Sequence, residues 1–377
     1  MPITRRNLLQ ISASSFVAAM AAPGLLRANT DLPLYKNSII IDGLGFPGGL
    51  SVDESAALIP EEARDIAESG LTATHLTLGA VGEMAPLLAF EKIVRDITKW
   101  DRAIERYPAM LSQVRRVDDI PSAKTSACTG LIYGLQDGVS FEDDLDRLGA
   151  LHQLGIRIIQ PTYNRRNLLG DGCMEPANAG LSRSGIESIE RMNALGILVD
   201  LSHCGRQTAA DGIKASRKPV SFTHTGCYAL AQHPRHRTDE EIKAVADTGG
   251  VTGIFIMPYL AKGNQPTAND VILHLEHAIN VAGEDHVCMG TDGAISPTTV
   301  TPEYAENFRK TTAERKRLGI AAPYETETGY LFANDLNTPR RFETLSSLLL
   351  KRGHSETRVE KIMGTNLIRL FSETWVV

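Results

Sequence analysis

The sequence predicts an α/β protein built as a single (β/α)8 barrel of the TIM type. Two observations carry that expectation. Eight short apolar runs recur along the chain, each of a length suited to a buried strand, and stretches of helical amphipathic period separate them. Alternation of this kind points to a closed parallel sheet with helices outside it. The length agrees, since 377 residues hold one large barrel with insertions.

The elements follow in chain order. Residues 1–28 read as an export leader: Thr4-Arg5-Arg6-Asn7-Leu8-Leu9 has a twin-arginine pattern, an apolar stretch spans 11–22, and small residues suit cleavage near Ala21 or Ala28. That stretch is short and rich in Ala and Ser for a membrane span. A periplasmic location and the twin-arginine export machinery as a partner follow. The barrel is expected over 29–377. Its strands are placed at 38–42, 73–78, 130–135, 157–161, 197–201, 220–223, 250–256 and 286–290. Parallel strands covered on both faces read as continuous apolar runs, as these do. Helical patterns include 185–195 and 239–248. A polar insertion at 297–339 is expected to cover part of the barrel mouth, and a last helix over 356–371 closes the domain.

The net charge of −6, with no long basic run, argues against a nucleic-acid surface. Five cysteines (Cys128, Cys173, Cys204, Cys227 and Cys288) lack CxxC spacing and are odd in number, so no disulfide framework is expected. Cys173 reads as an incidental thiol before a nucleophile. Strand alternation turns Cys204 away from its neighbour His203.

Two histidines carry the chemistry. His203 ends Leu198-Val199-Asp200-Leu201-Ser202-His203, and His224 ends Val220-Ser221-Phe222-Thr223-His224. Each sits where a strand meets a loop, the end at which such barrels hold their active sites. Neutral imidazoles there are ready metal ligands; a pair of structural histidines is the alternative.

From Gly180-Leu181-Ser182 through Glu190-Arg191-Met192-Asn193-Ala194-Leu195-Gly196 to His203, the chain resembles the membrane (renal-type) dipeptidases, a metallopeptidase branch of the amidohydrolase-like barrels. The resemblance continues through Lys218-Pro219 to His224, His233-Pro234-Arg235, Asp285-His286-Val287-Cys288-Met289-Gly290-Thr291-Asp292 and Gly364-Thr365-Asn366-Leu367. In that family two zinc ions share a bridging glutamate and a water. The resemblance implies that His203 and His224 bind the second metal, that Arg235 holds the substrate carboxylate, and that Asp292 serves the substrate amine and the catalytic water. Three positions depart from the pattern. The family's opening Asp-Gly-His-Asn-Asp is here Asp42-Gly43-Leu44-Gly45-Phe46, its bridging glutamate is Gln136, and a histidine used on the tetrahedral intermediate is Tyr163.

Two imidazoles fall short of the usual three protein ligands. The candidates for a third are Asp292, Asp42, Asp137 and His75; Asp42 and Asp137 also read as capping carboxylates, and His75 as a packed histidine. Asp42 shares strand parity with Leu44 and Phe46 and should point inward with them. Tyr163 could replace the lost histidine as an oxyanion donor, and Arg235 and Gln136 would contact substrate. One zinc ion is expected rather than two, with none as the alternative. The leading reading is therefore an exported, metal-dependent dipeptidase-like hydrolase of dipeptides or small peptide-like substrates. A non-hydrolytic enzyme tailoring an amino-acid-derived compound and a peptide-binding pseudoenzyme are the competing readings. A homodimer is the default assembly.

Overall fold

The structure is a computed structural model that describes residues 32–47, 57–79, 81–261 and 265–376. The twin-arginine segment lies outside the described residues.

Eight short parallel strands form the barrel: Ile41–Asp42 (β1), Ala73–Thr77 (β2), Thr129–Leu135 (β3), Ile156–Ile159 (β4), Leu198–Val199 (β5), Ser221–Thr225 (β6), Val251–Ile254 (β7) and Val287–Met289 (β8). All eight fall on the apolar runs of the sequence. Regular pairing joins β1 through β5 in order, and a second group joins β6, β7 and β8. Two seams close the ring. Leu201 N–H donates to Ser221 O at 2.7 Å beyond β5, and Gly43 N–H donates to Met289 O at 2.9 Å between β1 and β8.

The helices between strands lie where alternation requires them. Helix Arg183–Leu195 opens with Ser182, whose side chain accepts from Gly185 N–H, and ends at Gly196 in the left-handed conformation. Helix Asp239–Asp247 opens with a capping box of Thr238 and Glu241. The expected final helix is broken: Glu356–Glu360 and Asn366–Thr374 flank a wider turn over Lys361–Thr365. Two features escaped the sequence. Leu111–Gln113 adds a parallel strand beside β3, and Gly45–Phe46 pairs with Gly293–Ala294 just beyond β1 and β8.

Strand parity divides the barrel interior into levels. Ile41, Ala73, Ile132, Ile158, Leu198 and Val251 form an apolar floor, packed against Leu367, Leu370 and Phe371 of the last helix. The same inward face carries polar side chains toward the strands' C-terminal ends, including His75, Gln160 and Asp200, all buried. The alternate residues face the helices, as when Tyr133 donates to Asp101 at 2.9 Å. The region 297–339 holds helix Pro302–Arg317, which lies over the C-terminal mouth of the barrel.

Candidate metal and substrate site

His203 follows β5 and His224 lies in β6, and their Nε2 atoms stand 3.0 Å apart. Their other nitrogens are fixed. His203 Nδ1–H donates to Asn164 Oδ1 at 2.6 Å. Asn164 Nδ2–H donates to Ile320 O, which orients that amide. His224 Nδ1–H donates to Thr223 Oγ1 at 2.8 Å. Thr223 in turn donates its hydroxyl proton to Asp200 Oδ2 at 2.6 Å. With each Nδ1 acting as a donor, a neutral imidazole keeps its lone pair on Nε2. Burial, and after it the charge of Arg235, hold both histidines well below the ordinary imidazole range. Two neutral lone pairs therefore face each other at close range.

Gln136, just after β3, brings its amide to the same point, with Nε2 3.3 Å from His224 Nε2. A half-turn of the amide exchanges its donor for an oxygen ligand. Gln136 also hydrogen-bonds Asp292. Asp292 follows β8 with φ +58, a left-handed conformation costly for a non-glycine residue and common at functional positions. Burial pushes its carboxyl up to about 7, against the pull of Arg235 and Arg315. Tyr163 stacks on the His203 ring with centroids 4.1 Å apart. Its hydroxyl oxygen accepts from Arg315 Nη2 at 3.3 Å, leaving the phenolic proton free to donate.

Arg235 is 2% exposed. Its guanidinium is braced by Ser202 O and, at 3.4 Å, by His224 O. It also lines a cavity of about 400 Å3 together with Tyr163, His203 and Asp292. Arg237, two residues on, is engaged elsewhere: its Nη2 donates to the carbonyls of Leu201, Ser202 and Cys204.

The other ligand candidates turn away from the imidazole pair. Asp42 accepts from Thr291 N–H (2.7 Å), Thr291 O–H (2.5 Å) and Leu44 N–H (3.2 Å). Parity with Leu44 and Phe46 put it on the inner side, but the bend at Gly43-Leu44 interrupts the alternation, and Asp42 sits beside Thr74 on the face of β1 opposite inward-facing Ile41. Asp137 accepts from Asn167 and Val139 N–H. His75 Nδ1–H donates to Gly43 O at 2.8 Å. Among the described residues no cluster of three or more His, Cys, Asp or Glu side chains could hold a metal ion, so neither Asp42 nor Asp292 completes such a set with the two histidines.

This donor set bears on the zinc implied by the resemblance. Two opposed imidazole lone pairs and an amide able to present oxygen fit one ion. They do not fit a second. Leu44 is fully buried, Phe46 forms part of the cavity wall, and neither side chain has a lone pair.

Several residues of the site had no sequence signal that singled them out. Asn164 lies in a loop without a motif. Arg315 and Glu325 belong to the polar region over the mouth, where they pair at 2.7 Å above Tyr163. Asp200 and Thr223 did stand within the two histidine motifs, where their types suit support of a ring nitrogen.

The barrel and its paired histidines are those of an amidohydrolase-like protein, and comparison with known proteins narrows this. Residues 61–314 match the model of the membrane dipeptidases, peptidase family M19. The chain belongs to that family. Dipeptidase verJ of Clonostachys rogersoniana is 26% identical over 269 residues, 71% of this chain and 61% of that protein. Dipeptidase tcpJ of Claviceps purpurea is 26% identical over 276 residues, 72% of this chain and 57% of its own length. The chain thus spans about three fifths of these curated relatives. Among solved structures, an amidohydrolase from Pseudomonas aeruginosa is 33% identical, with a TM-score of 0.76 over 91% of this chain and 98% of that one. A Rhodobacter sphaeroides metallopeptidase bound to a phosphinate mimic of L-Ala-D-Ala shares the fold at 18% identity, with a TM-score of 0.71 over 90% of this chain and 100% of that one.

Proposed function

We propose that this protein is a hydrolase of dipeptides or small peptide-like amides that works with one metal ion. The observation that carries the proposal is the pair of Nε2 lone pairs 3.0 Å apart, each backed by a fixed Nδ1–H. Such a pair suits a shared cation, and zinc is the ion that the family resemblance implies. His203 and His224 would hold it, with Gln136 beside them. Bound there, zinc supplies Lewis acidity at the scissile carbonyl.

The chain's own groups supply the rest. Asp292 accepts the proton of the attacking water, and a carboxyl held at about 7 is suited to trading protons near neutral pH. Tyr163 donates its phenolic proton to the developing oxyanion; burial raises its pKa, so the phenol stays protonated. Arg235 holds the substrate carboxylate with the part of its fork left by Ser202 and His224. Closure of the mouth by helix Pro302–Arg317 limits water around these groups.

The test is metal content by elemental mass spectrometry on protein purified without chelators, paired with dipeptide cleavage. About one zinc equivalent is expected, falling to near none in His203→Ala and His224→Ala, with turnover lost alongside. Absence of cleavage at saturating Zn²⁺, Mn²⁺ or Co²⁺ sinks the hydrolytic reading.

A second reading is a non-hydrolytic enzyme tailoring an amino-acid-derived compound. It is favoured by Leu44 and Phe46 standing where the family carries metal ligands. Mass spectrometry of the product separates the two readings, since hydrolysis adds one water and splits the molecule. We also propose export through the twin-arginine machinery to the periplasm, and assembly as a homodimer. Cell fractionation with an Arg5→Lys, Arg6→Lys variant tests the first, because a periplasmic pool that persists unchanged contradicts it. Sedimentation tests the second.

A further inference from the structure

We infer that the site selects substrates carrying a bulky apolar side chain, which lodges beneath helix Pro302–Arg317; this rests on the hydrolytic reading above for the polar end of the ligand.

The helix is charged over most of its surface. Residues 303, 306, 309, 310, 314, 316 and 317 are all charged. Tyr304, Phe308, Thr312 and Arg315 instead follow a spacing of four, four and three, so they share one face. That face lines the cavity over the barrel mouth. Two aromatic rings on an otherwise hydrophilic helix are thus aimed at the cavity. They belong to a wider aromatic group, with Phe308 and Tyr330 centroids 5.2 Å apart.

The opposite wall matches them. Phe46, Met257 and Leu331 line the same space, and Phe46 takes a position at which the family carries a metal ligand. Arg315 and Glu325 also reach the cavity, but two contacts of 2.7 and 2.9 Å pair them with each other. The charges left to a ligand are those of Arg235 and Asp292, at the histidine end. The cavity is therefore polar at one end and apolar at the other. At about 400 Å3 it lies within the usual range for small-molecule sites. A peptide of two small residues would leave the apolar half in contact with nothing but water, whereas an indole or a branched aliphatic group fills it and removes its surface from solvent.

The experiment is calorimetric titration of the full-length mature protein, stripped of metal so that turnover does not intervene, with Gly-Gly, Gly-Trp and Trp-Gly. At least one tryptophan peptide is expected to bind about tenfold or more tightly than Gly-Gly. Tyr304→Ala and Phe308→Ala should each bring that ratio toward one, with melting temperatures recorded alongside. Phe308→Leu provides a milder change should the alanine variant fold poorly, and it should lower the ratio in part. Equal affinity for the three peptides, binding of none of them, or a ratio unmoved by all the variants overturns the inference. Retention of the ratio together with no cleavage by the zinc-loaded protein overturns the hydrolytic reading instead and leaves this one standing.

Discussion

Thr223 and Asn164 decide what His203 and His224 can do, because each fixes which ring nitrogen carries the proton. A hydroxyl that already donates to Asp200 can only accept from His224 Nδ1–H, and an amide oriented by Ile320 O presents oxygen to His203 Nδ1–H. Groups of this kind typically contribute 10–100-fold to metal affinity. Thr223→Val keeps the shape and removes the acceptor, so zinc affinity measured against a competing chelator should fall by about that range. Unchanged affinity would mean that the ring is oriented without the hydroxyl. The same replacement leaves Asp200 without one of its four donated hydrogen bonds, so the melting temperature should fall as well.

At the level of elements, the eight barrel strands were legible because a parallel strand buried on both faces is a short unbroken apolar run. The two histidines of the candidate site were legible for a related reason: each ends such a run, where the topology opens a mouth. The roof was legible only as polar sequence. Polarity reports exposure, and nothing in it distinguishes Arg315, which reaches Tyr163, from the exposed arginines of the same helix. Alternation counted through Leu44 and Phe46 misplaced Asp42, because the bend at Gly43-Leu44 breaks the period, and nothing in the sequence showed that Thr291 would claim its carboxylate. Glycine at 134 was likewise silent, although its surroundings leave no space for a side chain. A Cβ there would overlap His75 Nε2 and lie 2.8 Å from Ile158 O, a backbone atom of the next strand that cannot step aside. Gly134→Ala should therefore destabilise the barrel by about 1–3 kcal/mol. The loss should appear as a lower urea midpoint with an unchanged slope; an unchanged midpoint would mean that His75 has room to move.

Over the whole molecule, the buried titratable groups set two opposing dependences on pH. Burial holds His75, His233 and His274 at about 4. As pH falls below about 6.5, the ordinary imidazole value, the unfolded chain takes up protons that the folded chain refuses. Stability carried by these histidines is thus present above 6.5 and lost as pH falls toward 4. Burial raises Asp42 to about 7 and Asp137 to about 6, with the opposite consequence. Their protonated forms favour the fold, so that stability is present in acid and lost as pH rises from about 4 to 7. Between pH 7 and 4 the carboxyls therefore offset the histidines. Removing Asp42 from the balance should expose the histidine side. An amide in its place cannot take up the proton that Asp42 gains on acidification, worth on the order of 4 kcal/mol over three pH units. Asp42→Asn should stand nearest the parent in stability at pH 7 and fall progressively behind it toward pH 4.5, as read from melting temperatures across that range. Parallel curves for the two proteins would mean that Asp42 is ionised in the fold throughout, held by Thr291, Leu44 and the nearby charge of Arg341 more strongly than burial opposes it.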